Sequence, residues 1–153
     1  MSIQSKAGSK QEEKLQISTF SLGETICGID ISLVQEINDN TRFTGVPLAP
    51  EYIRGIMNLR GQIVTVVDLS QKIGFSAIKL TPKSRVIIVS AYGENTGLLV
   101  DKVADVIVVE RSRIKSAPSN INGIQGDYIR GIIQTDHREL VALLDVNTIL
   151  QEV

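Results

Sequence analysis

The pentapeptide Tyr-Ile-Arg-Gly-Ile occurs twice, at 52–56 and at 128–132. Each copy leads into a turn, an apolar run and an aspartate. In the first copy these are Arg60-Gly61, Ile63 to Val67, and Asp68. In the second they are the polar stretch around Asp136, His137 and Arg138, the run Leu140 to Leu144, and Asp145. The second copy has one extra residue, which its longer turn absorbs. A repeated supersecondary unit of this kind restricts the chain to an architecture built from two related halves.

A second pair of segments agrees with this. Gly28-Ile29, Ile31, Val34 and Glu36-Ile37 have the same spacing as Gly97-Leu98, Val100, Val103 and Asp105-Val106. Both matched segments occur in the same order, so the duplication extends over most of the chain.

Local patterns fill in the unit. Leu15 to Leu22 alternates with Leu15, Ile17 and Thr19 on one side, as a half-buried strand does. Gly23-Glu24 forms a turn, and Thr25 to Ile29 returns as a hairpin partner. Asp30 to Leu33 reads as a short turn with helical character, followed by a strand from Val34 to Ile37. Residues 38–51 carry Asn38, Asp39, Asn40, Gly45, Pro47 and Pro50, which is loop chemistry. The Tyr-Ile-Arg-Gly-Ile hairpin then ends at Asp68, placed to cap a helix over 69–73. Gln71 has capping-box spacing, and Gly74 stands at C′.

After a connector at 75–84 the series restarts. Strands are expected over 85–91, 96–100 and 103–110, with a turn at Gly93-Glu94-Asn95. An irregular stretch at 111–127 precedes the second hairpin. Asp145 caps a last helix reaching about Leu150. Each half thus supplies about five short strands, a number that closes into a small barrel and removes exposed edges. The expected fold is mainly β: two pseudo-repeated five-stranded barrels with short capped helices, over about 15–80 and 84–150. Runs such as Ile63 to Val67 and Arg85 to Val89 do not alternate, so their outer faces also need cover, from the other barrel or from a partner. Residues 1–14 are polar and read as a flexible tail.

Composition narrows the function. Hydrophobic residues make up 42% of the chain and charged residues 22%, an ordinary globular balance. With 16 basic and 17 acidic side chains and no basic stripe, nucleic acid is not an expected partner. No apolar run approaches a membrane span, so no direct membrane insertion is expected. Cys27 is the single cysteine and reads as a core residue; His137 is the single histidine and reads as a solvated turn residue. Neither has the partners of a nucleophile or a zinc site. Asp68 and Asp145 are helix caps in this reading. Gly55 and Gly131 fall within strands, where glycine marks a bulge or a close backbone contact. Phosphate-binding glycine loops are missing. A binding module is favoured over an enzyme, with no catalytic residues, cofactor or metal.

Certain residues resemble a known family. These are Gly28-Ile29-Asp30-Ile31, Val34-Gln35-Glu36-Ile37, Tyr52-Ile53-Arg54-Gly55, Asn58-Leu59-Arg60-Gly61 and Val66-Val67-Asp68-Leu69, with Gly97 to Asp101 in the second half. They are similar to the CheW family of bacterial chemotaxis coupling proteins over about residues 15–150. The resemblance implies two SH3-like barrels and a non-catalytic scaffold. It implies as partners the regulatory domain of the histidine kinase CheA and the cytoplasmic tips of chemoreceptors, with contacts between copies of CheW in a ring. It implies a cytoplasmic location at membrane-bound receptor arrays. The receptor-contact positions it carries over are Val34, Glu36, Arg60, Val86, Val103 and Val106. Val34, Val103 and Val106 would supply apolar contact to a receptor helix in a groove between barrels, and Glu36 and Arg60 would fix its orientation. Kinase-contact residues are not assigned by the resemblance; the loop at 40–46, the surroundings of Gly55 and the second barrel are candidates. Two other readings are open: a coupling protein of another chemosensory pathway, such as one for pili or development, and a generic SH3-like peptide- or nucleic-acid-binding module.

Overall fold

The computed structural model describes residues 13–121, 123–151 and 153. Strands dominate. In order they are β1 (Lys14–Leu22), β2 (Thr25–Asp30), β3 (Val34–Asn38), β4 (Ile53–Leu59), β5 (Gln62–Asp68), β6 (Arg85–Ala91), β7 (Glu94–Val100), β8 (Lys102–Glu110), β9 (Asn120–Ile121), β10 (Ile124–Gln125), β11 (Ile129–Gln134) and β12 (Leu140–Leu144). Helix α1 (Leu69–Lys72) follows β5, and α2 (Val146–Leu150) follows β12.

Two five-stranded sheets result, in the orders β3-β6-β7-β5-β4 and β11-β12-β2-β1-β8. Each closes into a barrel through the segment after its edge strand. Beyond β3, Thr44 exchanges two hydrogen bonds with Ile56 of β4, at 2.9 and 2.8 Å. Beyond β8, Lys115 does the same with Ile132 of β11, at 2.9 and 2.8 Å. The first barrel is contiguous, residues 34–100, and is called the inserted barrel below. The second, the outer barrel, joins 14–30 to 102–144.

This corrects the linear division at 15–80 and 84–150. The hairpin β1–β2 of the first half completes the barrel of the second half, while β6–β7 completes that of the first. The switch occurs at the three-residue 3-10 turn Ile31–Leu33, capped by Asp30 through the Ser32 amide at 3.0 Å, and again near Asp101. Residue alternation says which face of a strand is apolar, but not which sheet covers it. The expected tail at 1–14 lies outside the described residues for 1–12. At its end it is corrected, because Lys14 opens β1 opposite Glu110.

The duplication extends to the bulges, the glycines and the helix caps. A bulge interrupts the β4–β5 register between Ile53 and Gly55, and another interrupts β11–β12 between Ile129 and Gly131. A Cβ at Gly55 would overlap the Thr44 carbonyl oxygen, and one at Gly131 would stand 2.8 Å from the Lys115 oxygen. The absent side chains are what let each closing segment approach. Gly28 and Gly97 match as well. Each lies in the strand that pairs in parallel with the hairpin's return strand, Gly28 opposite Leu143 and Gly97 opposite Val66. Asp68 caps α1 through the Gln71 amide at 3.0 Å, and Asp145 caps α2 through the Thr148 amide at 3.1 Å.

The main core runs through both barrels. It joins Phe20, Leu22, Cys27 and Ile29 of the outer barrel to Val66, Ile87, Leu98 and the rest of the inserted one, with α1 and α2 packed in. A smaller core, Leu15, Ile17, Val109, Ile133, Val141 and Leu143, fills the other side of the outer sheet. The non-alternating run Val86 to Val89 is wholly buried, so the cover it requires comes from within the chain.

Candidate functional site

The most exposed of the expected site residues is organised by a turn. Leu59 pairs with Gln62, leaving Arg60-Gly61 as a two-residue loop. Both residues have positive φ, 52° and 84°, as a type I′ hairpin turn requires. Gly61 meets this without strain; Arg60 does so with the turn held by Asn58, whose Oδ1 accepts from the Gly61 amide at 2.9 Å. The Arg60 guanidinium then reaches across to β3 and pairs with Glu36 at 3.0 Å. Asn38 donates to the second Glu36 oxygen at 3.4 Å.

With the Arg60 side chain 80% exposed and Glu36 23%, the pair is solvent-screened and contributes at most ~1 kcal/mol to stability. What it does is fix where two charged groups stand. Neither residue's spacing in the sequence pointed to this pairing, because it depends on the β4–β5 tip lying beside β3.

The valines separate into three environments. Val34 on β3 and Val103 on β8 are half-buried, both packed against the main core. They are equivalent positions of the repeat and sit on equivalent edge strands, one in each barrel. Val106 on β8 is 50% exposed. Val86 is fully buried and opposite Leu99 in β6–β7, so the expectation that it offers a contact surface is corrected. Its repeat equivalent is Ile17, also a core residue. Two exposed apolar side chains were missed, Ile37 beside Glu36 and Val108 beside Val106. Alternation along an edge strand was the available signal.

Two further grooves are related by the repeat. One, about 580 Å³, is lined by Val46, Ile53, Ile56, Thr65 and Tyr92, among others, on the inserted barrel, with Leu150 and Gln151 at the end of α2 adding to its wall. The other, about 380 Å³, is lined by Ile26, Pro118, Ile121, Ile132, Leu140 and Ala142 on the outer barrel. Ile56 pairs with Thr65, and Ile132 with Ala142, in matching registers. The repeat's own tyrosines also meet. Lys72 Nζ lies 4.8 Å from the Tyr52 ring centroid and 5.5 Å from that of Tyr128, a cation held between equivalent residues of the two copies.

Among the described residues, no group of three or more His, Cys, Asp or Glu side chains is placed to hold a metal ion. Burial pushes the Cys27 thiol up to about 12, and His137 is exposed in its turn. No helix among the described residues is long and apolar enough to cross a membrane.

Residues 16–153 match the family described as CheW-like domain. The chain is 32% identical over 136 residues to the chemotaxis protein CheW of Treponema pallidum (strain Nichols), covering 86% of this chain and 80% of that one. It is 32% identical over 124 residues to the chemotaxis protein CheW of Bacillus subtilis (strain 168), covering 81% and 79%. The crystal structure of the scaffolding protein TtCheW from Thermoanaerobacter tengcongensis superposes with a TM-score of 0.83 at 34% identity, covering 91% of this chain and 88% of that one. The duplicated barrels and the match along nearly the whole chain make this protein a member of the CheW family.

Proposed function

We propose that this protein is a non-catalytic chemotaxis adaptor that couples chemoreceptors to the histidine kinase CheA in a signalling array. Family membership over residues 16–153 is the observation that carries this. It acts in the cytoplasm, at the receptor tips. The receptor's helical hairpin lies against the edge strands β3 and β8. Val34, Val103 and Val106 offer it apolar contact, and the Glu36–Arg60 pair presents oriented charge at one end. A helix needs such a split surface: apolar area for affinity, and a few placed charges to fix its rotation and direction.

The two repeat-related grooves supply the surfaces for ring contacts with the kinase regulatory domain and with other copies of the chain. A ring needs two docking faces per member, and a duplicated fold provides one on each barrel. Each would bury roughly 1,000 Å² or less, in the range of transient signalling contacts.

The test is reconstitution from purified components. A receptor cytoplasmic fragment and the kinase are mixed with the protein, and co-sedimentation and kinase activity are measured. Binding of both, with kinase activity responding to the receptor, is expected. Absence of binding to either at tens of micromolar would overturn the reading. Arg60→Ala should weaken receptor binding while leaving thermal unfolding unchanged, since the exposed pair contributes little to stability. A large fall in melting temperature would instead make Arg60 structural.

A further inference from the structure

A cleft of about 300 Å³ lies where the two barrels join, lined by Lys83, Arg85, Lys102 and Val103. Arg85 opens β6 of the inserted barrel and Lys102 opens β8 of the outer one, so each barrel contributes one wall. Three cations share this cleft in a chain whose net charge is −1. No lining residue is acidic. Among the described residues, none of the three is ion-paired. Like charges gathered without counter-charges repel one another.

The cluster is held in place. Arg85 Nη1 donates to the carbonyl oxygens of Pro82 at 2.9 Å and Ser84 at 2.8 Å. The turn beneath it is fixed by the buried Ser84, whose Oγ accepts from the Thr81 amide at 2.9 Å. Backbone anchoring through one guanidinium nitrogen leaves Nη2 and Nε without hydrogen bonds among the described residues. The repeat does not require two of the charges: the positions matching Arg85 and Lys102 in the other half are Gln16 and Leu33, while Lys83 matches Lys14. Arg85 and Lys102 are basic in one copy of the fold only.

We infer that this cleft receives carboxylate side chains from the receptor helix that docks on β8. The inference rests on the receptor-binding reading and extends it. Val103 is the link, since it is both a wall of the cleft and a half-buried residue of the proposed helix-binding face. Val103 lines the cleft together with Lys102 and Arg85, so a helix covering Val103 would lie at the rim of the cleft. Asn38, two residues from Glu36, pairs with Val86, the neighbour of Arg85, so the cleft is one strand away from the Glu36–Arg60 pair. Two charged features would then bracket the apolar contact, one mixed in sign and one purely basic. The partner's complement is an acidic residue or a pair one helical turn apart, spaced to face the same side.

The experiment measures affinity for a receptor cytoplasmic-tip fragment at low and high salt. The full-length wild-type protein is compared with Lys83→Gln, Lys102→Gln, their double variant and Arg85→Gln. Melting curves accompany each, and the two exposed lysine variants should be indistinguishable from wild type in stability. The double lysine variant should bind about 5- to 10-fold more weakly at low salt, and the difference should shrink at high salt. Equal binding by wild type and double variant at both salts would overturn the inference while leaving receptor coupling intact. So would a loss confined to inorganic phosphate binding with receptor affinity unchanged, since the cleft would then be an anion site. If the wild type itself does not bind the receptor fragment, the coupling reading fails, and this inference with it.

Discussion

Asp68 and Asp145 occupy the same position in the two copies, yet their loss should cost very different amounts. Asp145 caps α2 through one amide. Asp68 is fully buried and does three things. Its Oδ1 accepts from the Gln71 amide at 3.0 Å, its Oδ2 from the Ile78 amide at 2.8 Å, and Arg54 lies 3.2 Å from Oδ2. Arg54 in turn donates to the Ile78 carbonyl at 2.8 Å, so carboxylate and guanidinium together hold both polar groups of Ile78. Among the described residues Asp145 has no such grip, and Arg130 faces Asp30, at 3.9 Å.

Asp145→Ala therefore removes a cap, at about 1 kcal/mol. Asp68→Ala removes a cap and strands the buried Ile78 amide, at roughly 1–3 kcal/mol more. It also leaves Arg54, which is only partly exposed, without its counter-charge, adding about 1 kcal/mol after solvent screening. The sum is about 3–5 kcal/mol, which for a chain of this size lowers the melting temperature by roughly 10 °C, against roughly 3 °C for Asp145→Ala. Thermal and urea unfolding followed by circular dichroism measure both. Equal shifts for the two variants would show that the Arg54–Asp68–Ile78 cluster adds nothing beyond a cap, and would refute the reasoning.

Other consequences are open to measurement. Gly55→Ala should destabilise more than Gly131→Ala in urea titrations, because Gly55 also has φ 144° and its added Cβ would meet two backbone atoms of Thr44 more closely than that of Gly131 meets the Lys115 oxygen. Val86→Ala should cost about 2 kcal/mol of stability through a core cavity and leave receptor affinity unchanged at temperatures where the variant is folded. Cys27 should resist a thiol reagent at pH 8 until the chain is unfolded. Its folded thiol ionises near 12 rather than 9.0, so the folded state holds the proton more tightly. The thiol's contribution to stability should accordingly be full below about pH 9 and be lost as pH rises toward 12, so Cys27→Ala should make the alkaline decline shallower.

Much of this fold could be read from residue order. The pentapeptide fixed the hairpins, the glycines marked the bulges, and the aspartates marked the helix starts, because each depends on neighbours within a few residues. Strand partnership was not legible. Leu15, Ile17 and Leu22 announce an apolar face, but nothing local says that β1 lies against β8 rather than β6. Val86 failed for a related reason. A strand valine reads the same whether it faces a partner or a core, and its repeat equivalent Ile17 became informative only once the registers were known. The Glu36–Arg60 pair and the basic cleft needed three dimensions as well, since each joins residues from separate strands.

The exchanged hairpins have a bearing on ancestry. One copy of the repeat, standing alone, would place its first two strands outside the barrel formed by its remaining three. It would complete no barrel by itself. Two such chains would complete two, each lending a hairpin to the other, as the halves of this chain do. The architecture is that of an intertwined dimer written into a single polypeptide. In a single polypeptide the two copies need not be the same, and charges such as Arg85 and Lys102 stand on one side only.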